Sequence, residues 1–203
     1  MHRLTALSIL TASVLLSACG GGGIPANPVA VAPTSQVEWL VGVGGEGSTH
    51  ATGGAVCPDG CAVVTGEFDG VATFGDQDAP DATLVATGPH DLFLAHYDPK
   101  GALTWARACE GTDICAVSDV AVDAGGQVTA VGYFLDSITF VAEGEEAVTL
   151  TTPRPGWDDA FVARFDQEGR LSWVEQLSSD SIEEVLAVVA REDGSVVIAG
   201  IYC

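Results

Sequence analysis

Ala55-Val56-Cys57-Pro58-Asp59-Gly60-Cys61-Ala62-Val63-Val64-Thr65-Gly66 returns as Ala121-Val122-Asp123-Ala124-Gly125-Gly126-Gln127-Val128-Thr129-Ala130-Val131-Gly132. It returns again as Val189-Ala190-Arg191-Glu192-Asp193-Gly194-Ser195-Val196-Val197-Ile198-Ala199-Gly200. Trp39, Trp105 and Trp173 recur at intervals of 66 and 68 residues, and Gly66, Gly132 and Gly200 keep the same two intervals. A fixed long period means that one supersecondary unit is stacked on copies of itself. Repeat scaffolds of this kind host many functions, so the period decides the architecture and leaves the activity open.

Within each copy the apolar residues follow a strand period. Leu92-Phe93-Leu94-Ala95-His96-Tyr97 and Leu103-Thr104-Trp105-Ala106 are short runs bounded by turn residues. Between them Asp98-Pro99-Lys100-Gly101 sets a tight turn, with Pro at the second position and Gly free to take a positive φ. A second hairpin is expected from Val117–Asp123 and Gln127–Phe134 around Ala124-Gly125-Gly126. A third, shorter one joins Ile138-Thr139-Phe140 to Val148-Thr149-Leu150, with Thr73-Phe74 and Thr83-Leu84 as its counterparts. The expectation is an all-β chain of antiparallel four-stranded blades of the β-propeller type, two complete and a third begun. The change of spacing from 66 to 68 residues falls in Pro153-Arg154-Pro155-Gly156-Trp157. An insertion there marks a loop, because a strand insertion would slip the register.

These phrases resemble the bacterial SBBP-type propeller repeat. Asp91-Leu92-Phe93-Leu94-Ala95-His96-Tyr97-Asp98 and Asp159-Ala160-Phe161-Val162-Ala163-Arg164-Phe165-Asp166 match its D-x-F-V-A-K-Y-D element. Gly101-Ala102-Leu103-Thr104-Trp105-Ala106 and Gly169-Arg170-Leu171-Ser172-Trp173 match its G-x-L-x-W element. The resemblance covers nearly everything from Val37 onward and implies a propeller-like fold in exported or surface proteins, with no reaction attached. Residues 37–203 are expected to form one repeat domain, in copies of about 37–102, 103–170 and an incomplete 171–203. A closed propeller takes about four to eight blades, so an open arc, closure by self-association and a fragment of a longer protein all stand as readings. The apolar run Val196–Cys203 at the end favours the fragment, since an exposed strand of that kind is an aggregation hazard.

The N-terminus supplies an address. Met1-His2-Arg3 precedes an apolar run, Leu4–Leu16, shorter than the roughly 20 residues that span a bilayer. That pattern suits the apolar region of a secretory signal over residues 1–18. Leu16-Ser17-Ala18-Cys19 resembles the bacterial lipobox, which implies cleavage before Cys19 and lipidation of that cysteine. Several acyl chains anchor a protein stably where one does not. Gly20 in place of an aspartate favours the outer membrane, and the Gly- and Pro-rich stretch 19–36 reads as a tether.

With 28 acidic against 7 basic residues and a net charge of −21, nucleic acid is excluded as a natural partner. Export permits disulfides, and Cys57 with Cys61 and Cys109 with Cys115 are the expected local pairs. A zinc site built from all four is the alternative, although their x3 and x5 spacings depart from paired C-x-x-C. Cys203 is odd. Asp76, Asp78 and Asp81 form a weak Ca²⁺ candidate, interrupted by Pro80; no other cofactor is expected. His96 takes the position of Arg164 and reads as a strand-face residue, and no catalytic constellation is present in the sequence. Trp157, in the inserted loop, is a weak candidate partner anchor. The composite expectation is a non-enzymatic, lipid-anchored envelope scaffold that displays loops to a protein or glycan. The alternatives are a piece of a larger propeller enzyme whose site lies in other blades, and a structural spacer.

Overall fold

Short apolar runs punctuated by Gly, Asp and Pro turns fold into strands, and among the described residues there is no helix. The computed structural model describes residues 14–17, 39–75, 83–141, 147–179 and 183–202. Its strands in chain order are β1 (Val14–Ser17), β2 (Leu40–Gly44), β3 (Thr49–Val56), β4 (Ala62–Phe68), β5 (Val71–Phe74), β6 (Thr83–Val85), β7 (Asp91–Tyr97) and β8 (Leu103–Gly111). They continue as β9 (Cys115–Val122), β10 (Val128–Leu135), β11 (Ser137–Phe140), β12 (Val148–Thr151), β13 (Asp158–Phe165), β14 (Leu171–Leu177), β15 (Glu183–Ala190) and β16 (Val196–Tyr202). Cys19, the tether, Asp76, Asp78, Asp81 and Cys203 lie outside the described residues.

Two four-stranded antiparallel blades result, β3-β4-β7-β8 and β9-β10-β13-β14, and the hairpin β15-β16 begins a third; among the described residues no sheet closes on itself. The short hairpins expected from sequence are present, and each attaches to the blade before its own. β5-β6 pairs with β2, and β11-β12 extends the first blade by pairing with β8. The Trp-bearing strands β8 and β14 are the fourth strands of their blades, β8 being continued by β11-β12, while β3, β9 and β15 are the first. First strands of successive blades lie side by side. Thr52 Oγ1 on β3 donates to the Val117 carbonyl at 2.9 Å, and the Val188 amide on β15 donates to Asp119 on β9 at 2.9 Å. β1 runs parallel to β2, with Val14 opposite Leu40.

Adjacent blades stack face to face, and each core is the layer between two sheets. Successive residues of β7 face opposite layers. Phe93, Ala95 and Tyr97 pack with Val43, Phe68 and Phe74 in the layer ahead of blade one. Leu92 and Leu94 pack with Val117, Phe134, Phe161 and Trp105 in the layer between blades one and two. A third layer, with Val131, Val162, Val185 and Val188, separates blade two from β15-β16. A middle strand buried on both faces carries no polar alternation, which explains its near-continuous apolar run.

The repeated residues are consumed in building this stack. In blade one the register slips between Ala51 and Gly53, and a Cβ on Gly66 would lie 1.9 Å from the His50 carbonyl oxygen. Gly132 meets the Ala116 oxygen at the same 1.9 Å beside the equivalent slip, so any side chain there would displace backbone. Trp105 rests on the next blade: its Nε1–H donates to the Gln167 carbonyl at 2.9 Å, and a Cβ on Gly169 would strike its ring at 2.6 Å. Trp39 sits on Gly101 in the same way. Trp173, over which no turn packs among the described residues, is 39% exposed against 3% for Trp105. Buried Asp91 receives the Thr87 and Gly111 amides at 2.8 and 3.1 Å, tying the start of β7 to the end of β8.

Candidate functional site

Copies of a repeat differ where the scaffold does not need them alike, and the sharpest difference lies at the turn end of the blades. In the second blade, β9 and β10 are joined by a tight turn over residues 123–127. The Asp123 carboxylate accepts the Gly125 and Gln127 amides at 2.8 and 3.0 Å. Arg164, one strand over on β13, forms an ion pair with Asp123 and donates to the Gly194 carbonyl of the following hairpin at 3.0 Å. The guanidinium thus spans the whole layer.

The first blade places Cys57, Cys61 and His96 at the corresponding positions. Cys57 and Cys61 flank a three-residue turn closed by the Cys57 amide on the Cys61 carbonyl at 2.8 Å. Their Cα atoms are 4.9 Å apart and their sulfurs are joined in a disulfide. His96 stacks on its cross-strand neighbour Trp105, with ring centroids 5.4 Å apart. The imidazole Nε2 lies 3.0 Å from Sγ of Cys61 and 4.0 Å from Sγ of Cys57. On the other side of the ring, Nδ1 meets the Thr104 hydroxyl, which itself donates to the His96 carbonyl at 3.0 Å. A hydroxyl has one hydrogen, so Thr104 accepts from Nδ1–H, and the unprotonated Nε2 points its lone pair at the sulfurs. Burial lowers the His96 pKa from its ordinary value, against the opposing pull of Asp59 and Asp98, and so favours the neutral ring.

An imidazole is shorter than an arginine and does not cross the layer. A cavity of about 360 Å³ remains between the two blades, lined by Cys57, Cys61, His96, Thr104, Gly126 and Glu168 among others. Among the described residues, the grouping of potential metal ligands is Cys57, Cys61 and His96, whose donor atoms lie within 4.8 Å of one another. The four-cysteine zinc site weighed from sequence is not assembled.

Cys109 and Cys115, the other pair expected to be bridged, are buried free thiols. They occupy the last strand of blade one and the first of blade two, and the Cys115 thiol is directed to the His90 carbonyl at 3.2 Å. Burial pushes the Cys115 thiol up to about 12 and raises Cys109 as well, so neither is a ready nucleophile. Trp157 is 41% exposed in the inserted loop, where its amide donates to the Arg154 carbonyl at 3.3 Å. It lies near the opposite end of the blade, away from the cavity lining. Cys19, Asp76, Asp78, Asp81 and Cys203 fall outside the described residues.

The aligned repeats set Cys57 and Cys61 opposite Asp123 and Gln127, and His96 opposite Arg164, without showing that the three positions meet in one site. The signal was there: three linked positions change together between copies.

No protein-family model matches the chain. It is 24% identical, over 156 residues, to an uncharacterized WD repeat-containing protein of Acanthamoeba polyphaga mimivirus. That alignment covers 73% of this chain and 11% of the relative, so the chain spans about a tenth of the length of the protein it matches. With the all-β blades described above, the similarity supports a propeller-like repeat scaffold.

Proposed function

We propose that the chain is a lipid-anchored cell-envelope scaffold of propeller repeats, related to the SBBP type, that binds a protein or glycan partner without catalysing a reaction. One observation carries this reading. Residues that recur in the copies (Trp39 and Trp105, Gly66 and Gly132, Gly101 and Gly169) are spent on holding blades together, whereas Cys57, Cys61, His96 and Trp157 depart from the pattern at the ends of the blades. A scaffold that displays variable ends on an invariant stack has this division of labour. Cys19 is the proposed acyl acceptor, and the outer membrane the proposed location. The exposed apolar residues Val189, Val197 and Ile201, on one side of the β15-β16 hairpin, supply a face that a further blade or a second copy would cover.

Two experiments test the parts separately. Anchoring requires a mature N-terminus at an acylated Cys19, which would also remove β1; mass spectrometry of the protein from envelope fractions reads this directly. An intact Met1 or an unmodified Cys19 there rejects the anchor. For display, chemical crosslinking in envelope preparations should give partners that are lost in Trp157→Ala. Identical crosslink profiles for the variant and the parent would favour a spacer over a binding scaffold.

A further inference from the structure

Cys57, Cys61 and His96 bring two sulfurs and one imidazole nitrogen to the wall of a cavity, and the geometry points to a redox-gated metal site there. We propose that the oxidised chain holds this site closed as a disulfide, and that the reduced chain binds one thiophilic cation, Zn²⁺ or Cu⁺, through both sulfurs and Nε2 of His96.

The donor set is the first argument. Thiolate and imidazole ligands together suit Zn²⁺ and Cu⁺, and disfavour the hard cations that carboxylates would bind. The second is orientation. Thr104 accepts the hydrogen bond from Nδ1–H and leaves the Nε2 lone pair aimed at Sγ of Cys61, 3.0 Å away. A hydrogen bond to the far nitrogen is the arrangement that fixes the tautomer of a metal-binding histidine. Among the described residues Nε2 meets only the two sulfurs, and a disulfide sulfur has no proton to give to its lone pair. The third is reach. Zn–S bonds of about 2.3 Å in a tetrahedral site set the two sulfurs about 3.8 Å apart, so opening the bridge needs rotation about the cysteine side chains and no strand movement. Cα atoms 4.9 Å apart across a hairpin turn allow it. The fourth is access. The ligands border the cavity of about 360 Å³, which leaves a coordination position free for water or an incoming donor.

The chemistry balances with a dithiol as the reductant. One thiolate of the dithiol attacks a sulfur of the bridge, and the mixed disulfide that forms is resolved by the second thiol, which leaves as a cyclic disulfide. Two electrons and two protons thereby reach Cys57 and Cys61. The cation then displaces both protons as it binds. Cys109 and Cys115 take no part, because the site draws only on the turn end of the blade.

The test uses Co²⁺ as the probe, since its thiolate complexes absorb where free Co²⁺ does not. The full chain is reduced with a dithiol, freed of reductant without oxygen, and titrated. One Co²⁺ per chain with thiolate-to-cobalt charge-transfer absorption, displaced by Zn²⁺, is expected from the reduced protein and none from the oxidised protein. Cys109→Ser with Cys115→Ser should leave the signal unchanged. His96→Gln, which keeps the bridge and its turn, should weaken binding at least about tenfold. The proposal is overturned if the reduced chain shows no thiolate–cobalt band, if Cys57→Ser with Cys61→Ser retains it, or if His96→Gln binds as tightly as the parent.

Discussion

The layer between blades one and two and the layer between blade two and the third hairpin are built from the same repeat and close differently. In the second, Arg164 pairs with Asp123 and reaches the Gly194 carbonyl, so charge and hydrogen bonds seal the turn end. In the first, the disulfide Cys57–Cys61 and the shorter His96 leave a cavity bordered by Gly126, the counterpart of Gly194. A covalent bridge that replaces an ion pair frees the third residue from its structural duty. His96 no longer has to span the gap, and its ring nitrogen becomes available for chemistry. In a repeat protein a site can arise where one copy is released from a constraint that its neighbour still obeys.

Removing the seal of the second layer should have the largest effect. Arg164→Met leaves the Asp123 carboxylate buried without its counter-charge, and loss of one partner of a buried pair costs about 3 kcal/mol or more. Urea unfolding would read this; a loss below about 1 kcal/mol would mean that the two layers are closed equally well without the ion pair.

Next in size is the bridge of the first layer. Cys57→Ser with Cys61→Ser opens a very short loop, for which chain entropy gives about 2 kcal/mol. The same measurement applies, and a chain as stable as the parent would show that the turn, and not the bridge, holds this end.

Alkaline pH should loosen the layers that flank blade one before the layer beyond blade two. Burial raises Tyr97 to about 12 from 10.0, Cys115 to about 12 from 9.0, and Cys109 also upward. These acids are kept neutral by the fold, so their contribution is complete below pH 9 and is lost as pH rises toward 12. Hydrogen exchange between pH 9 and 11 should therefore weaken protection in β7, β8 and β9 ahead of β15. Uniform loosening would contradict the assignment.

The smallest effect lies on the acid side. Desolvation depresses His96, so its contribution is present above pH 6.5 and declines as pH falls through the lowered value. His96→Gln should flatten the pH dependence of stability below 6.5, and an unchanged slope would show that the decline has another source.

Much of the fold was legible because its signals are local. The Asp98-Pro99-Lys100-Gly101 turn forms as expected, with Asp98 accepting the Lys100 and Ala102 amides and Gly101 at a φ of 83°. Turn chemistry and strand period involve neighbours in sequence, so a single copy is enough to read them. The attachment of β5-β6 and β11-β12 to the preceding blade was not legible, because a strand pairing across copies leaves no mark in either strand alone. The free thiols Cys109 and Cys115 were misjudged for a related reason. Proximity in sequence suggested a bridge, yet the two belong to different blades and the Cys115 thiol turns to His90.

By itself the sequence determined that this chain stacks an antiparallel β unit with a period of 66 to 68 residues, because hydrophobic period, turn residues and repeated glycines act over short distances. Only the tertiary structure decided that Cys57, Cys61 and His96 share one cavity wall. His96 lies 35 residues from Cys61, and what unites them is the pairing of β4 with β7, set by packing against two neighbouring sheets at once.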